Sequence, residues 1–202
     1  LARRLADARR DGSLPWLRPD GKTQVTVRSE GGRAVVDTVL VSAQHDPDTP
    51  RGELVDGIRD AVIAPTLAPY GGMASAPTVI VNPSGSFVLG GPKADAGLTG
   101  RKIVVDQYGG VAPVGGGALS GKDPTKVDRS GAYAARWVAR SIVDAGLAVR
   151  AQVRIAYAIG RADPIGVDVD TFGTSAVGDD RLESAVADVF DLTPKGIIHG
   201  MD

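Results

Sequence analysis

The chain has 202 residues, 43% of them hydrophobic but only 4% aromatic, so a real core must be filled largely by aliphatic side chains. A net charge of −1 gives no bulk attraction for nucleic acid or an anionic membrane, and any phosphate binding must come from local charge. The absence of cysteine excludes disulfides and thiolate metal sites, two histidines exclude a histidine-rich one, and no apolar run approaches the roughly 20 residues of a membrane span, so a cytoplasmic protein is expected. LARRLADARR opens as a helix, with Leu1, Leu5 and Ala8 on one face and arginines on the other. The chain begins at Leu1, not Met, and this opening reads as the end of a longer element, so a fragment is expected.

Leu14 to Leu17 is an apolar connector in which Pro15 disfavours helix. Lys22 to Arg28 alternates in the manner of a strand, Glu30-Gly31-Gly32 is a turn, and Ala34 to Val41 returns, which predicts a β-hairpin. A helix is expected over Gly52 to Ile63, with Leu54, Ile58, Ala61 and Val62 inward, stopped by Pro65 and Pro69. Thr78 to Val81 is a short buried strand, and Asn82-Pro83-Ser84-Gly85 is a turn. In the second half a helix is expected over Arg129 to Asp144, with Asp128 as N-cap and Ala134, Val138, Ile142 and Ala145 on one face. Val149 to Ile159 and Ile165 to Phe172 read as strands. A helix over Asp180 to Phe190 follows, with Leu182, Val186 and Val189 inward. Hairpin then helix thus occurs in Lys22–Ile63 and again in Val149–Phe190, a weak internal repeat. It predicts two α+β units, each a sheet covered by helices on one face, with domains at 1–92 and 93–202.

The chemistry concentrates between Asp95 and Arg129, in DAGLTGRKIVVDQYGGVAPVGGGALSGKDPTKVDR. Two glycine-rich turns surround the β-branched run Ile103 to Val105, which reads as a strand. Glycine lets backbone approach a ligand closely, and successive N–H groups in such turns make a concave anion site. Arg101, Lys102 and Lys122 are expected to face inward and hold phosphate charge, with Lys126 nearby. The acids Asp95, Asp123 and Asp128 suit such a cradle when a divalent metal or an amine bridges them. Gly116 to Lys122 matches seven places of a P-loop, but the eighth is Asp123 rather than Ser or Thr, and Pro124 follows. The dinucleotide pattern fails at Ser120, where its third glycine belongs.

GLTGRKIVVDQYGG, GGGALSGKDPTKVDRSGAYAARWVA and VDTFGT resemble the C-terminal region of S-adenosylmethionine synthases, and LPWLRPDGKTQVTV, VSAQH and NPSGSFVLGGP resemble their middle region. The resemblance runs in order from about Leu14 to Leu192. It implies the synthase fold with two of its three repeated sheet-plus-helix units present, the first being absent from these residues. It implies an enzyme joining ATP to L-methionine, with magnesium and potassium as cofactors and active sites between the subunits of a homodimer or dimer of dimers. By matching position, Asp20, Gly21 and Lys22 belong to a segment contacting ATP, and Phe87 packs near the adenine. Asp95 touches both ATP and the methionine amine. Arg101 and Lys102 form a phosphate-binding pair, Ala118 lies at the adenosine, Lys122 binds phosphate, Lys126 meets methionine and Asp128 lies near magnesium. Lys22, Arg101, Lys102 and Lys122 are thereby the catalytic candidates. Asp128 reads as a helix cap ahead of a metal ligand, and His45, in VSAQH, reads as a hydrogen-bonded structural residue rather than a base.

The pattern departs from the family at several places, among them Leu119, which replaces a phenylalanine. Ser86 in the ATP-contacting turn replaces a cation, Val114 replaces a histidine, and Lys93-Ala94 replaces Met-Gly. The first unit, with a catalytic histidine and a magnesium aspartate, is not in these residues, and the polypeptide alone is expected to be inactive. The alternative reading is a non-catalytic synthase-like subunit that binds nucleotide or assists assembly.

Overall fold

Residues 1–30, 33–71 and 76–202 are described by a computed structural model; the expected turn at Gly31-Gly32 lies outside them. The chain folds as two units, Leu1–Gly97 and Leu98–Asp202, each α+β.

In the first unit α1 (Ala2–Arg10) precedes a long antiparallel pair, β1 (Leu17–Glu30) and β2 (Arg33–His45). Both strands run well beyond the expected hairpin, because residues past its ends still find ladder partners, as in Gly21 opposite Ala43 and Glu30 opposite Arg33. β3 (Thr78–Val81) adds in parallel to β2, giving the order β1-β2-β3. Strand alternation puts Val39, Val41, Ala43 and His45 on one buried face. Against them pack Leu5 and Ala8 of α1, Leu14, Trp16 and Leu17, and Leu54 and Ile58 of α2 (Arg51–Ile58). A Cβ on Gly57 would lie 2.9 Å from the Trp16 ring, so only glycine permits this approach.

The prolines do not stop this helix as expected. After α2 the chain takes one π turn, Arg59–Ile63, then continues as α3 (Ala64–Leu67) through Pro65 and a 3₁₀ turn, Ala68–Tyr70, through Pro69. Pro65 has no N–H to offer the carbonyl four residues back, Ala61. Arg4 reaches over from α1 and donates its Nε–H to that oxygen at 3.2 Å. Val62, Ile63 and Leu67 are fully or almost fully buried, and this burial holds the irregular turns together.

In the second unit the β-branched run folds as a single helical turn, α4 (Ile103–Asp106), instead of a strand. No described strand pairs with it, and an isolated four-residue strand has no ladder to satisfy its backbone. The long helix α5 (Val127–Asp144) buries Ala134, Val138 and Ile142, four residues apart, on one stripe, while Ala145 is exposed. Its N-cap is Lys126, so Asp128 lies inside the first turn rather than capping it. β4 (Gln152–Ala156) and β5 (Gly166–Asp170) pair antiparallel and are shorter than the alternation suggested. Val149 and Ile159, the expected strand ends, are exposed, since β5 offers partners to only five residues. α6 (Asp179–Val189) contributes Leu182 and Val186 to the core, but Val189 is exposed. A final helix, α7 (Pro194–Gly200), is capped by Thr193, whose side chain accepts from Gly196 N–H at 3.0 Å. Trp137 of α5 meets Phe190 edge-on at 4.8 Å. Each unit therefore carries an antiparallel pair followed by a helix, β1–β2–α2 and β4–β5–α6.

Candidate functional site

The candidate residues divide between the two units, and each group sits on a different kind of support. In the first unit Asp20, Gly21 and Lys22 lie on β1, close to where it begins. The C-terminal end of β2, Ala43-Gln44-His45, runs alongside them, with Gly21 opposite Ala43. Lys22 is exposed. Asp20 is half-buried, and its Oδ2 accepts the Gly91 N–H at 2.8 Å. Ser86 is exposed and Phe87 half-buried on the loop that leaves β3. Asp95 is exposed beyond the 3₁₀ turn Gly91–Lys93, and its Oδ1 accepts the Gly97 N–H at 3.1 Å.

His45 is buried and engaged at both ring nitrogens. A backbone N–H can only donate, so Nε2, 3.1 Å from Phe87 N, must be the acceptor. Nδ1 therefore carries the proton and donates to the Asp46 carbonyl at 2.8 Å. Both nitrogens are in use in the neutral ring, which suits a structural histidine and not a proton shuttle.

In the second unit the two glycine-rich turns meet. A Cβ on Gly100, whose φ is +79°, would stand 2.3 Å from the Ala118 Cβ, so the backbone before Arg101 lies directly on the second loop. A groove of about 460 Å³ opens there, lined by Gly100, Gln107, Tyr108, Ala118, Tyr133 and Arg136. Sequence reasoning passed over Tyr108 and Arg136. The guanidinium of Arg136 lies 6.0 Å from the Tyr108 ring centre, and its place one helical turn after Ala132 on α5 is the signal that could have found it.

Lys122 is only partly exposed. Its Nζ donates to Asp128 Oδ2 at 2.9 Å and to the Gly116 carbonyl. Gly116, with φ +80°, lies against the Asp128 side chain, where a Cβ would come to 2.7 Å. Lys122, Gly116 and Asp128 thus close the second loop onto the start of α5. Lys126 pairs instead with Asp123 at 3.2 Å. Asp123 also accepts from the hydroxyl and N–H of Thr125, and these bonds hold its carboxyl down at about 2, below the ordinary 3.8. Arg101 and Lys102 are exposed rather than turned inward, and Lys102 Nζ donates to the Arg101 carbonyl at 3.3 Å.

Among the described residues no three histidine, aspartate or glutamate side chains gather as a metal site. Asp128 offers a single carboxylate, partnered by Lys122, which fits magnesium only in the mode where phosphate oxygens and water fill the remaining positions.

Comparison with known proteins now decides the family. Residues 1–87 match the family model described as S-adenosylmethionine synthetase, central domain, and residues 89–202 match its C-terminal domain. The chain belongs to the S-adenosylmethionine synthase family. It is 57% identical over its whole length to the S-adenosylmethionine synthase of Desulforudis audaxviator and 55% identical to that of Nocardioides sp., covering 51% and 52% of those proteins. The synthase of Wolinella succinogenes is 55% identical over 98% of the chain. The chain therefore spans about half the length of the curated synthases it matches. Its middle and C-terminal synthase units account for both α+β halves of the fold. Among the described residues no helix is long and apolar enough to cross a membrane.

Proposed function

We propose that this chain is the nucleotide- and phosphate-handling part of a cytoplasmic S-adenosylmethionine synthase. The enzyme would form S-adenosylmethionine from ATP and L-methionine and release phosphate and pyrophosphate. The observation that carries the reading is the close approach of Gly100 to Ala118, which lays the basic Arg101-Lys102 turn on the loop that holds Lys122.

The reaction breaks the ribose C5′–O bond as the methionine sulfur lone pair forms a C5′–S bond. The electron pair leaves with the triphosphate, one P–O–P bond of which water then cleaves on the enzyme to give phosphate and pyrophosphate, and the product carries a sulfonium charge. The difficulty lies in the negative charge gathering on the leaving group, so fixed cations are the natural catalysts. Lys22, Arg101, Lys102 and Lys122 are assigned to the phosphates. Exchange of the Asp128 carboxylate and Gly116 carbonyl for phosphate oxygens would keep the Lys122 ammonium bonded throughout. Asp20, Gly21, Ser86, Phe87 and Ala118 are assigned to the nucleotide, Asp95 to both substrates, and Lys126 to methionine. Asp128 would hold magnesium, which would supply further positive charge against the leaving group. No residue of this chain is assigned to potassium. Arg101 and Lys102, being exposed, are free to meet a second subunit's share of the substrate, in keeping with sites between subunits of a homodimer or dimer of dimers.

Full-length protein supplied with labelled methionine, ATP, magnesium and potassium should yield S-adenosylmethionine together with both phosphate products. Absence of product at saturating substrates overturns the enzyme reading and favours a nucleotide-binding or assembly subunit.

A further inference from the structure

Three neighbouring residues at the end of β2 and one on β1 hold the loop 82–91 at both of its ends. At its start, the buried Asn82 takes a left-handed backbone, φ +44°, and turns its amide onto Ala43. Its Oδ1 accepts the Ala43 N–H at 2.8 Å, and its Nδ2 donates to the Ala43 carbonyl at 2.9 Å. The side chain thus acts as one more residue of β3, bonded to β2 in place of backbone. Farther along, Phe87 exchanges two bonds with His45. Phe87 N–H donates to the ring Nε2 at 3.1 Å, and the His45 N–H donates to the Phe87 carbonyl at 3.0 Å. Gln44 Nε2 donates to the Val88 carbonyl at 3.0 Å, while its Oε1 accepts the Asp20 N–H at 3.1 Å. Asp20 Oδ2 then takes the Gly91 N–H at 2.8 Å.

The fit at the far end is tight. Gly90 has an extended backbone, φ −145°, that any residue can adopt, yet a Cβ there would come within 2.7 Å of Gln44 Cδ and 3.0 Å of Asp20 Cβ. Glycine is thus required by contact and not by conformation.

We propose that His45 and Gln44 are positioning residues that fix Phe87 for the nucleotide base, with Asp20 acting as an anchor of the same loop. This rests on the reading of Phe87 as the adenine-side aromatic. It moves Asp20 from a simple nucleotide contact to a member of the clamp, and it gives His45 a task other than proton transfer. The clamp acts only where an adenine is present. It therefore separates two reactions of the enzyme: S-adenosylmethionine formation needs the base in place, whereas hydrolysis of free inorganic triphosphate does not.

The test uses full-length protein and the variants His45→Phe, His45→Gln, Gln44→Ala and Gly90→Ala. Removing the Nε2 acceptor in His45→Phe leaves the Phe87 N–H without its partner, which should raise the KM for ATP roughly tenfold. Hydrolysis of free triphosphate should stay within about twofold of wild type, a split that general unfolding would not produce. His45→Gln, whose amide oxygen can still accept the Phe87 N–H, should recover most of the ATP affinity. Gly90→Ala should behave as His45→Phe does. Amide hydrogen exchange should show faster exchange at Phe87 and Gly91 in His45→Phe and Gln44→Ala, with the core of β2 unchanged. Equal loss of both reactions, an unchanged KM for ATP, or unchanged exchange at Phe87 overturns the clamp. If wild-type protein performs neither reaction, the enzyme reading fails. Adenosine binding, followed by calorimetry on the same variants, then decides the clamp: it stands if His45→Phe weakens binding and falls if binding is unaltered or absent.

Discussion

The loop 82–91 of the first unit and the glycine-rich loops of the second solve the same problem in opposite ways. The first is tied to a strand by buried and half-buried amide and imidazole groups, and its shape is a property of the sheet it borders. The second is held by exposed or half-buried charges that satisfy one another, Lys122 with Asp128 and Lys126 with Asp123, so its shape depends on partners that can be exchanged. A base is a rigid, neutral object and is well served by a preset surface. A triphosphate carries charge that changes during the reaction, and cations with replaceable partners can follow it.

This contrast predicts that losing a charged side chain from the second loop is felt in the chemistry, whereas losing a buried amide tie from the first, or a close backbone contact in either, is felt in stability. The largest effect is expected for Lys122→Met, which should lower the rate of S-adenosylmethionine formation by about 100- to 1,000-fold with little change in the unfolding midpoint, read by steady-state kinetics beside urea melts. A loss of folding equal to the loss of rate would erase the distinction. Next comes Asn82→Ala, which strips both Ala43 backbone groups of their partners in a buried place. It should destabilise the first unit by about 3 kcal/mol, taking 1–3 kcal/mol for each group left unsatisfied, and leave the second unit untouched in a urea melt. Gly100→Ala should cost about 2 kcal/mol in the second unit, since the new methyl group strikes Ala118 and the left-handed backbone disfavours it further. Hydrogen exchange confined to the two glycine-rich turns is its signature.

The smallest effect concerns acid. The fold holds Asp123 at about 2, below the 3.8 of an open chain, so it favours the ionised carboxylate. The resulting contribution to the turn is whole above about pH 4 and disappears as pH falls toward 2. Thr125→Val removes the hydroxyl donor and should raise the Asp123 titration midpoint, seen by carboxyl carbon chemical shifts. An unmoved midpoint would assign the shift to the Thr125 N–H and Lys126 instead.

Much of the fold was legible because hydrophobic period reports burial directly. Leu5 and Ala8, the alternating residues of β2, and Ala134, Val138 and Ile142 all fall where their spacing puts them. What the pattern could not report was the reach of a partner. Ile103 to Val105 has the composition of a strand but no described strand pairs with it, and it closes into a helical turn. The strand over Val149 to Ile159 is cut short by the brevity of β5. Pro65 stays within a helical path because a distant arginine takes up the carbonyl it orphans, a contact that no local rule contains. α7 was passed over although Thr193-Pro194 is an ordinary start signal, a cap followed by a proline at the first helical position. The ring bonds of His45, the dual engagement of Gln44 and the Lys122–Asp128 pair depend on residues far apart along the chain or on a turn's closure, and emerge only in three dimensions.

The two tryptophans fall one to a unit. Trp16 is sealed against Gly57 in the first core, while Trp137 is partly open to water and stands edge-on to Phe190 in the second. Their indole emission should differ in colour, the enclosed ring bluer than the wetted one. Replacing either with phenylalanine leaves a single intrinsic lamp, so the melting of each half can be watched separately without attaching any dye.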